Sequence, residues 1–420
     1  MPKPDHPSLA RDEAPSLFTA APLPVTKLND AECLACLRLI RSENVGPVTF
    51  RQLINHYGGA VNALQALPEL SKRGGKRRPI VICSAAVAEA ELQAAHKARA
   101  TPVFTIEPGY PKYLASIDAP PPLIYIRGRE ELLSRASIAI VGSRQSSAAG
   151  VQLAQLFAMQ LGQAGYVVVS GLARGIDGAA HTASMATGTV AVLAGGLDNI
   201  YPPEHAGLYE RIGREGCLVS EQPPGFTPRA QDFPRRNRII SGIALGVLII
   251  EAAARSGTLV TARYAAEQGR EVFAVPGHPL DPRAEGTNRL LKSGATLVTE
   301  PDDVISALRP LTGWSEPVSS RNEPGTDFIS SYSTLPSGAV SDQQSAAARP
   351  PPLPPEQVDN LGNAERTIIL SALGPAPVDL DAIVRCTGLP LRTVQIGLME
   401  LELAGRLARP GLGLLALVTE

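Results

Sequence analysis

The feature that most constrains the fold is a series of short apolar runs between residues 101 and 310. The runs alternate with stretches whose apolar spacing is helical, and several of them end in Gly or Ser. Runs without polar alternation indicate strands buried on both faces, which are typical of a mainly parallel sheet covered by helices. The chain is therefore predicted to contain an α/β domain. Its predicted strands are residues 137–141, 166–170, 189–194, 217–220, 247–251, 272–275 and 296–298.

Glycine-rich turns follow several of these predicted strands. They are Gly142-Ser143-Arg144, residues 171–175, Gly195-Gly196 and residues 256–258. In open α/β sheets, ligands bind at the carboxyl ends of the strands, where helix N-termini offer free N–H groups. Gly171 and Gly175 allow a phosphate to approach the backbone closely, and Arg174 between them adds a guanidinium. The turns predict an anion-binding edge, although they contain neither a G-x-G-x-x-G fingerprint nor a Walker A lysine motif.

Three arginines lie together in the segment Phe233-Pro234-Arg235-Arg236-Asn237-Arg238. Guanidinium groups match phosphate geometry, and the Phe233 ring offers a face on which an unpaired base can stack. We interpret the segment as a contact for a polyanion. The alternative is a solvated arginine cluster on a surface loop.

The length of 420 residues corresponds to roughly two to four domains. Residues 1–26 are rich in Pro, Ala and Ser and are predicted to be a disordered tail. Helical spacing in residues 27–99, interrupted at Asn44-Val45-Gly46-Pro47, indicates a helical domain similar to sterile-alpha-motif or helix-hairpin-helix units; a plain helical packing module is the alternative. The α/β domain takes residues 100–310. A linker rich in Pro and Ser (311–360) and a winged-helix domain (361–420) complete the predicted organisation.

The net charge of −1 hides local differences in charge. Residues 27–99 hold eleven Lys and Arg against six Asp and Glu, with a basic loop at residues 72–78. That loop is either a phosphate contact or a solvated turn. Residues 363–420 hold five arginines against six acidic residues, which is poor electrostatics for a strong DNA binder. The winged helix is therefore left open between DNA contact and protein contact.

Cysteine and histidine usage gives no metal site. Cys33 and Cys36 form one C-x-x-C without a second pair and are interpreted as buried helical residues. Asp177 and His181 stand four residues apart, for which a helix cap and a satisfied histidine are favoured over an acid/base pair. No catalytic residue, metal or cofactor is predicted. Without a signal peptide or a run of about 20 apolar residues, the chain is expected in the cytoplasm, away from membranes.

The central segment resembles the DNA-processing protein A (DprA/Smf) family. The matching residues occur in order: 140–144, 170–177 with His181, 195–202, 220–221, 233–242, 251–252 with 256–258, 269–270, 273–277, 286–288 and 294–295. The resemblance implies an extended Rossmann-like fold that binds single-stranded DNA and helps to load the RecA recombinase in natural transformation. It also implies a homodimer. The implied DNA-binding residues are Gly142, Ser143, Arg144, Gly171, Arg174, Gly175, Phe233, Arg235, Arg236, Asn237 and Arg238.

An enzyme of similar architecture is the alternative. The lysine-decarboxylase-like (LOG) nucleotide phosphoribohydrolases carry a P-G-G-x-G-T-x-x-E signature whose glutamate performs acid/base work. The most similar stretch of this chain, residues 194–199, lacks the glycine-threonine pair and the glutamate. A non-catalytic DNA-binding protein is therefore the favoured interpretation.

Overall fold

The computed structural model describes residues 27–312, 361–411 and 413–418. Residues 27–99 form four helices, α1 to α4, as the apolar spacing predicts. Helix α1 begins with a capping box in which Asn29 and Glu32 each accept a hydrogen bond from the other's backbone N–H. Helix α2 begins with Pro47 in its first turn, at the predicted interruption. The bounds are α1 Asp30–Ile40, α2 Pro47–Tyr57, α3 Ala60–Arg73 and α4 Ala85–Lys97.

The next part of the chain builds a nine-stranded sheet in the spatial order β1-β2-β6-β5-β4-β3-β7-β8-β9. All pairs from β6 to β9 are parallel, whereas β1 and β2 pair antiparallel at one edge. The bounds are β1 Thr101–Phe104, β2 Leu123–Gly128, β3 Ser137–Gly142, β4 Val167–Ser170, β5 Thr189–Leu193, β6 Cys217–Ser220, β7 Gly246–Ile250, β8 Glu271–Ala274 and β9 Thr296–Leu297.

Helices cover both faces of this sheet, and the central strands are buried throughout, as strands without polar alternation require. The helices are α5 Lys112–Ala115, α6 Ala148–Gln163, α7 Ile176–Ser184, α8 Ala206–Glu215, α9 Asp232–Ile243, α10 Thr258–Glu267, α11 Glu285–Lys292 and α12 Pro301–Leu308, with 3₁₀ helices at Glu130–Ser134, Pro203–His205 and Arg309–Thr312. Strand β3 lies between β4 and β7, so the order of strands reverses beside β3. Such a switch point is where open α/β sheets bind ligands.

The C-terminal part has three helices followed by a two-stranded hairpin, which is a winged-helix arrangement. The elements are α13 Asn363–Ser371, α14 Leu380–Thr387, α15 Leu391–Leu403, β10 Leu407–Gly411 and β11 Leu414–Leu417. Helix α15 packs against α2 and α3 of the N-terminal helices. Among the described residues, no helix is both long and apolar enough to cross a membrane.

The predicted fold class is confirmed: a mainly parallel sheet lies between an N-terminal helical unit and a C-terminal winged helix. The seven predicted strands are all present, within a residue or two of the predicted bounds. The antiparallel strands β1 and β2 were not predicted. The predicted tail, and the predicted linker from residue 313 onward, lie outside the described residues. The idea that the arginine segment lies on a surface loop is wrong, because residues 233–238 belong to helix α9.

Candidate nucleic-acid interface

The candidate site lies at the carboxyl edge of the parallel strands, beside the switch point. Arg144 follows β3, the turn of residues 171–175 follows β4, and Tyr201 lies in the loop after β5. The first half of α9 crosses this edge, since the Arg236 guanidinium donates hydrogen bonds to the carbonyl oxygens of Gly171 and Val192. The structure therefore brings together the three segments that the sequence singled out.

Helix α9 explains how the arginine segment is placed. Asp232 lies in its first turn, where a carboxylate is favoured, and Pro234 is tolerated there because the first turn lacks intrahelical N–H bonds. The helix then separates the three arginines by direction. Arg235 has a side chain 60% exposed, Arg238 one 17% exposed, and Arg236 as a whole residue is only 7% exposed. Arg235 is thus the member of this triplet that faces solvent most fully.

A cluster of one guanidinium and two aromatic rings forms the surface of the site; Arg144 and Tyr201 are exposed, and Phe233 is partly buried between them. The Arg144 guanidinium carbon lies 5.3 Å from the centroid of the Phe233 ring, a cation–π distance. The Tyr201 ring lies 5.1 Å from the Phe233 ring, tilted by 56°. Tyr201 is 46% exposed although it is a large side chain, and Arg144 is exposed as well. A positive charge beside two accessible rings can attract a phosphate and stack an unpaired base.

Arg236 lies beneath this surface and holds the turn after β4. One of its terminal nitrogens donates to the Gly171 carbonyl oxygen at 2.7 Å and to the Val192 carbonyl oxygen. Its Nε donates to Asn237 Oδ1 at 3.2 Å. Burial lowers the pKa of Arg236 to about 10, while the carboxylate of Asp177 opposes that shift. In this structure Arg236 is a support for the turn rather than an exposed cation.

Asp177 is the carboxylate partner below the same turn. Its Oδ2 accepts hydrogen bonds from the backbone N–H groups of Gly171 at 3.1 Å and Ala173 at 3.3 Å. Burial raises the pKa of Asp177, and the charge of Arg236 opposes that rise. The aspartate therefore bonds back to the turn instead of capping its own helix. The predicted helix cap is therefore wrong. His181 is fully buried and bonds Thr189 Oγ1 at 2.7 Å through Nδ1, but its Nε2 has no hydrogen-bond partner among the described residues, so this structural histidine is only half satisfied.

The remaining cations of the site have carboxylate partners. Arg238 donates to Glu221 Oε1 at 2.5 Å, and Arg235 lies 3.8 Å from the same oxygen. Arg174 pairs with Glu204 at 2.8 Å, and both side chains of this pair are more than half exposed. Exposed ion pairs contribute little to stability, so Arg174 can exchange its partner for a phosphate at small cost. Arg238 is half-buried and also donates to the Ala119 carbonyl oxygen.

The three glycines of the predicted site make room for protein atoms rather than leaving an open cradle. A Cβ at Gly142 would lie 1.9 Å from the Ile250 carbonyl oxygen, and one at Gly171 would lie 2.8 Å from the Arg236 guanidinium. Gly175 has φ +74°, and a Cβ there would lie 2.3 Å from the Ser143 carbonyl oxygen. Gly142 thus lies against β7 and Gly171 against α9, and Gly175 packs the turn after β4 against the turn after β3. The expectation that the glycines leave space for a close phosphate is not supported at these positions.

A carboxylate of the protein occupies the N-terminus of α6, which follows β3. Glu251 Oε2 accepts from the Ser147 backbone N–H at 2.9 Å, and the Ser147 hydroxyl donates to Glu251 Oε1. Ser147 Oγ in turn accepts from the Gly150 N–H at 2.9 Å. In nucleotide-binding α/β folds, this helix end holds a phosphate. Here the helix end is already bonded by the chain's own side chains.

Tyr201, Glu221 and Glu251 lie within the matching residues of the family resemblance, but the implied DNA-binding residues did not include them. Tyr201 and Glu221 lie in loops after strands β5 and β6, and Glu251 directly follows β7. Their position at strand ends was therefore a usable signal. The contacts that they make could not be predicted from the sequence, because the pairing of Tyr201 with Phe233 and of Glu251 with Ser147 joins segments that are distant in sequence.

Comparison with known proteins agrees with this architecture. Residues 101–309 match the family described as DNA recombination-mediator protein A, residues 30–94 match the DprA-like N-terminal HHH domain, and residues 345–411 match the DprA winged helix domain. Protein Smf of Synechocystis is 33% identical over 88% of this chain and 95% of its own length. Protein Smf of Escherichia coli is 41% identical over 71% of this chain and 72% of its own length.

The crystal structure of DNA processing protein A from Streptococcus pneumoniae superposes with a TM-score of 0.56. It is 33% identical and covers 67% of this chain and 98% of its own. These matches, together with a parallel sheet between two helical units, define a protein of the DNA-processing class. The chain belongs to the DprA/Smf family.

Proposed function

We propose that this protein binds single-stranded DNA without catalysing a reaction, at the carboxyl edge of its parallel sheet, in the cytoplasm. The observation that carries the proposal is the cluster of Arg144, Phe233 and Tyr201 beside the switch point. Bases of a single strand are free to stack on the two rings, whereas paired bases of a duplex are already stacked on each other. The phosphates are then contacted by Arg144, Arg174 and Arg235, and by Ser143, which lies beside Arg144 in the turn after β3.

The other predicted site residues act by holding this surface in place. Arg236, Arg238 and Asn237 bond to neighbouring turns through carbonyl oxygens or Glu221. The glycines at positions 142, 171 and 175 allow those turns to pack. Direct DNA contact at these six residues remains a prediction from the resemblance, and their hydrogen bonds and packing contacts favour a positioning role.

A titration of single-stranded and duplex oligonucleotides over a salt series tests the proposal. Phosphate contacts release counterions, so the affinity for a single strand should fall steeply as salt rises. The single strand should bind more tightly than the duplex of the same sequence at every salt concentration, with little dependence on sequence. Equal affinities for the two forms throughout the series would contradict the proposal.

We further propose that the protein loads RecA recombinase onto the bound strand in natural transformation, protects incoming DNA, and acts as a homodimer. The family description, a recombination mediator, supports this role for the matched residues 101–309. The test is RecA filament formation on single strands coated with a single-strand-binding protein, with and without this protein. Light scattering of the purified chain gives the oligomeric state. RecA filaments that form at the same rate in both samples would contradict the loading role.

The alternative, a LOG-like phosphoribohydrolase, has less support. A nucleotide substrate needs an anion site at a strand end, and Glu251 already bonds the N-terminus of α6. Incubation with AMP, followed by detection of free adenine, distinguishes the two functions. Release of free adenine would favour the enzyme.

A further inference from the structure

The C-terminal half of the recognition helix of the winged-helix domain is buried against the N-terminal helices. In helix-turn-helix proteins, the second helix of the motif enters the DNA major groove. Here that helix is α15, and Met399 and Leu403 on it are 2% and 0% exposed. Both side chains belong to the apolar core that also contains Leu37 and Phe50 of α1 and α2. The C-terminal half of α15 is thus in contact with protein.

Polar contacts fix the position of α15 on this surface. Asn44 Nδ2, in the turn between α1 and α2, donates to the Leu403 carbonyl oxygen at 3.0 Å. Arg406, just after α15, donates to the Gly74 carbonyl oxygen at 3.4 Å. Glu400 is only 2% exposed and accepts two hydrogen bonds from Arg366 at 2.7 and 2.9 Å. A buried carboxylate needs such a partner, so this face is built for burial.

Gly74 brings the two backbones into contact. A Cβ added at Gly74 would lie 1.9 Å from the Glu400 carbonyl oxygen and 2.5 Å from its carbonyl carbon. Both atoms are backbone of α15, so no side-chain rotation relieves the overlap. Gly74 itself has φ −68° and ψ −5°, a conformation that any residue adopts. The need for glycine here therefore comes from the docked helix and not from the local turn.

The charge of the docked face also disfavours DNA. Glu400 and Glu402 lie on the C-terminal half of α15, and Arg366 and Arg409 are paired with them. A groove-reading helix presents unpaired cations and base-reading side chains to the duplex. The paired charges and buried apolar residues of α15 fit a protein partner instead.

We infer that the winged-helix domain is a protein-docking module whose partner is the N-terminal helical unit of the same chain, and that the docked C-terminal half of α15 does not enter the major groove of duplex DNA. The forty-eight residues from 313 to 360 connect the α/β domain to the winged-helix domain in sequence. This inference is independent of the proposed function, which concerns the sheet edge. The sequence left open whether the winged helix contacts DNA or protein, and the inference favours the protein contact.

The test uses the full chain with Gly74→Ala, which adds one methyl group against the α15 backbone. Alanine is a better helix former than glycine, so the end of α3 should not be weakened by the change itself. Gly207→Ala is the matched control, because a Cβ at this helical position meets nothing within 4 Å. Amide hydrogen exchange is measured on residues 70–78 and 391–406 in all three proteins.

We expect Gly74→Ala to raise exchange in both segments by about tenfold or more, because undocking exposes them to solvent together. Gly207→Ala should exchange like the parent. Asn44→Asp provides a second variant, since it places a carboxylate opposite the Leu403 carbonyl oxygen with little change in volume. It should give a smaller increase in the same segments. Circular dichroism confirms that each variant is folded.

Three outcomes would overturn the inference. Exchange in Gly74→Ala and Asn44→Asp that equals the parent's would show that α15 is not docked at this contact in solution. Protection of residues 391–406 in the parent by added duplex DNA would show that α15 reads DNA. In a variant with cysteines introduced at positions 44 and 403, disulfide cross-links between isotopically labelled and unlabelled chains would show that the partner is a second copy.

Discussion

Replacing Arg236 by alanine separates a positioning role from a phosphate contact. The guanidinium is nearly fully buried, faces the buried carboxylate of Asp177, and bonds two carbonyl oxygens. Its removal leaves a buried carboxylate without its cation, which typically costs about 3–5 kcal/mol of folding free energy. For a domain of this size, each kcal/mol lowers Tm by about 2–4 °C. We therefore expect a Tm lower by roughly 6–20 °C.

The assay combines thermal melting with the single-strand titration over a salt series. Arg236→Ala should bind DNA more weakly when the turn after β4 is displaced, but the slope of log affinity against log salt should stay near the parent's. Arg235→Ala is the matched control, because its side chain is 60% exposed. It should change stability by no more than about 0.5 kcal/mol. It should also lower the salt slope by about one unit, as a lost phosphate contact does.

A double-mutant cycle tests the Asp177 pair directly. Asp177→Asn alone leaves Arg236 buried without its carboxylate, and Arg236→Met alone leaves the carboxylate without its cation. The double variant should therefore be destabilised less than the sum of the two single variants, with a coupling of about 0.5–3 kcal/mol. The reasoning fails if Arg236→Ala melts like the parent while its salt slope falls by one unit.

Further predictions concern five other side chains of the α/β domain. Phe233→Ala should weaken single-strand binding by about 1–3 kcal/mol at every salt concentration, because stacking is not a counterion effect. Tyr201→Ala should weaken binding in the same salt-independent way and Tyr201→Phe should not, which isothermal titration can measure; equal losses would assign the effect to the hydroxyl. Arg144→Ala should lower the salt slope by about one unit. Glu204→Gln should raise the affinity for single-stranded DNA by freeing Arg174 from its ion pair. An unchanged affinity of Glu204→Gln would mean that Arg174 does not reach the strand. Burial lowers the pKa of His181 to about 3, whereas the pKa in the unfolded chain is about 6.5. The contribution of neutral His181 to the free energy of unfolding is therefore complete above pH 6.5 and is lost as pH falls toward 3. In urea denaturation, His181→Gln should lose less free energy of unfolding over this pH window than the parent.

The sheet could be predicted because its signal is local. Each central strand is buried on both faces, so its residues form an uninterrupted apolar run that is readable without knowledge of its neighbours. The antiparallel strands β1 and β2 were missed for different reasons. Pro102 interrupts the apolar pattern of the edge strand β1, which is held by antiparallel pairing that only the folded chain reveals. Strand β2 does carry a local signal, the buried apolar run of residues 123–126, and could have been recognised.

The site was predicted in its location but only partly in its roles. Arg144, Phe233 and the turn after β4 do come together, since carboxyl ends of parallel strands share one edge. Helix α9 was missed although its buried residues Arg236, Ile239, Ile240 and Ile243 follow helical spacing. A buried arginine breaks an apolar pattern, so the spacing was not recognised. Whether each arginine side chain points toward solvent or toward the core depends on its position around the helix, which amino-acid composition alone does not reveal.

The bonds between Glu251 and the start of α6 have a consequence for the length of ligand that this edge retains. A free mononucleotide must displace a carboxylate tethered beside the helix end, whose effective concentration far exceeds that of a dilute ligand. A longer strand avoids that competition, because it engages separate groups, Arg144, Arg235 and the two rings, in succession. Each added contact is then intramolecular, so avidity grows with the number of nucleotides. This edge of the sheet should therefore discriminate by the length of the nucleic acid, binding a DNA strand more tightly than the free mononucleotides of the cell.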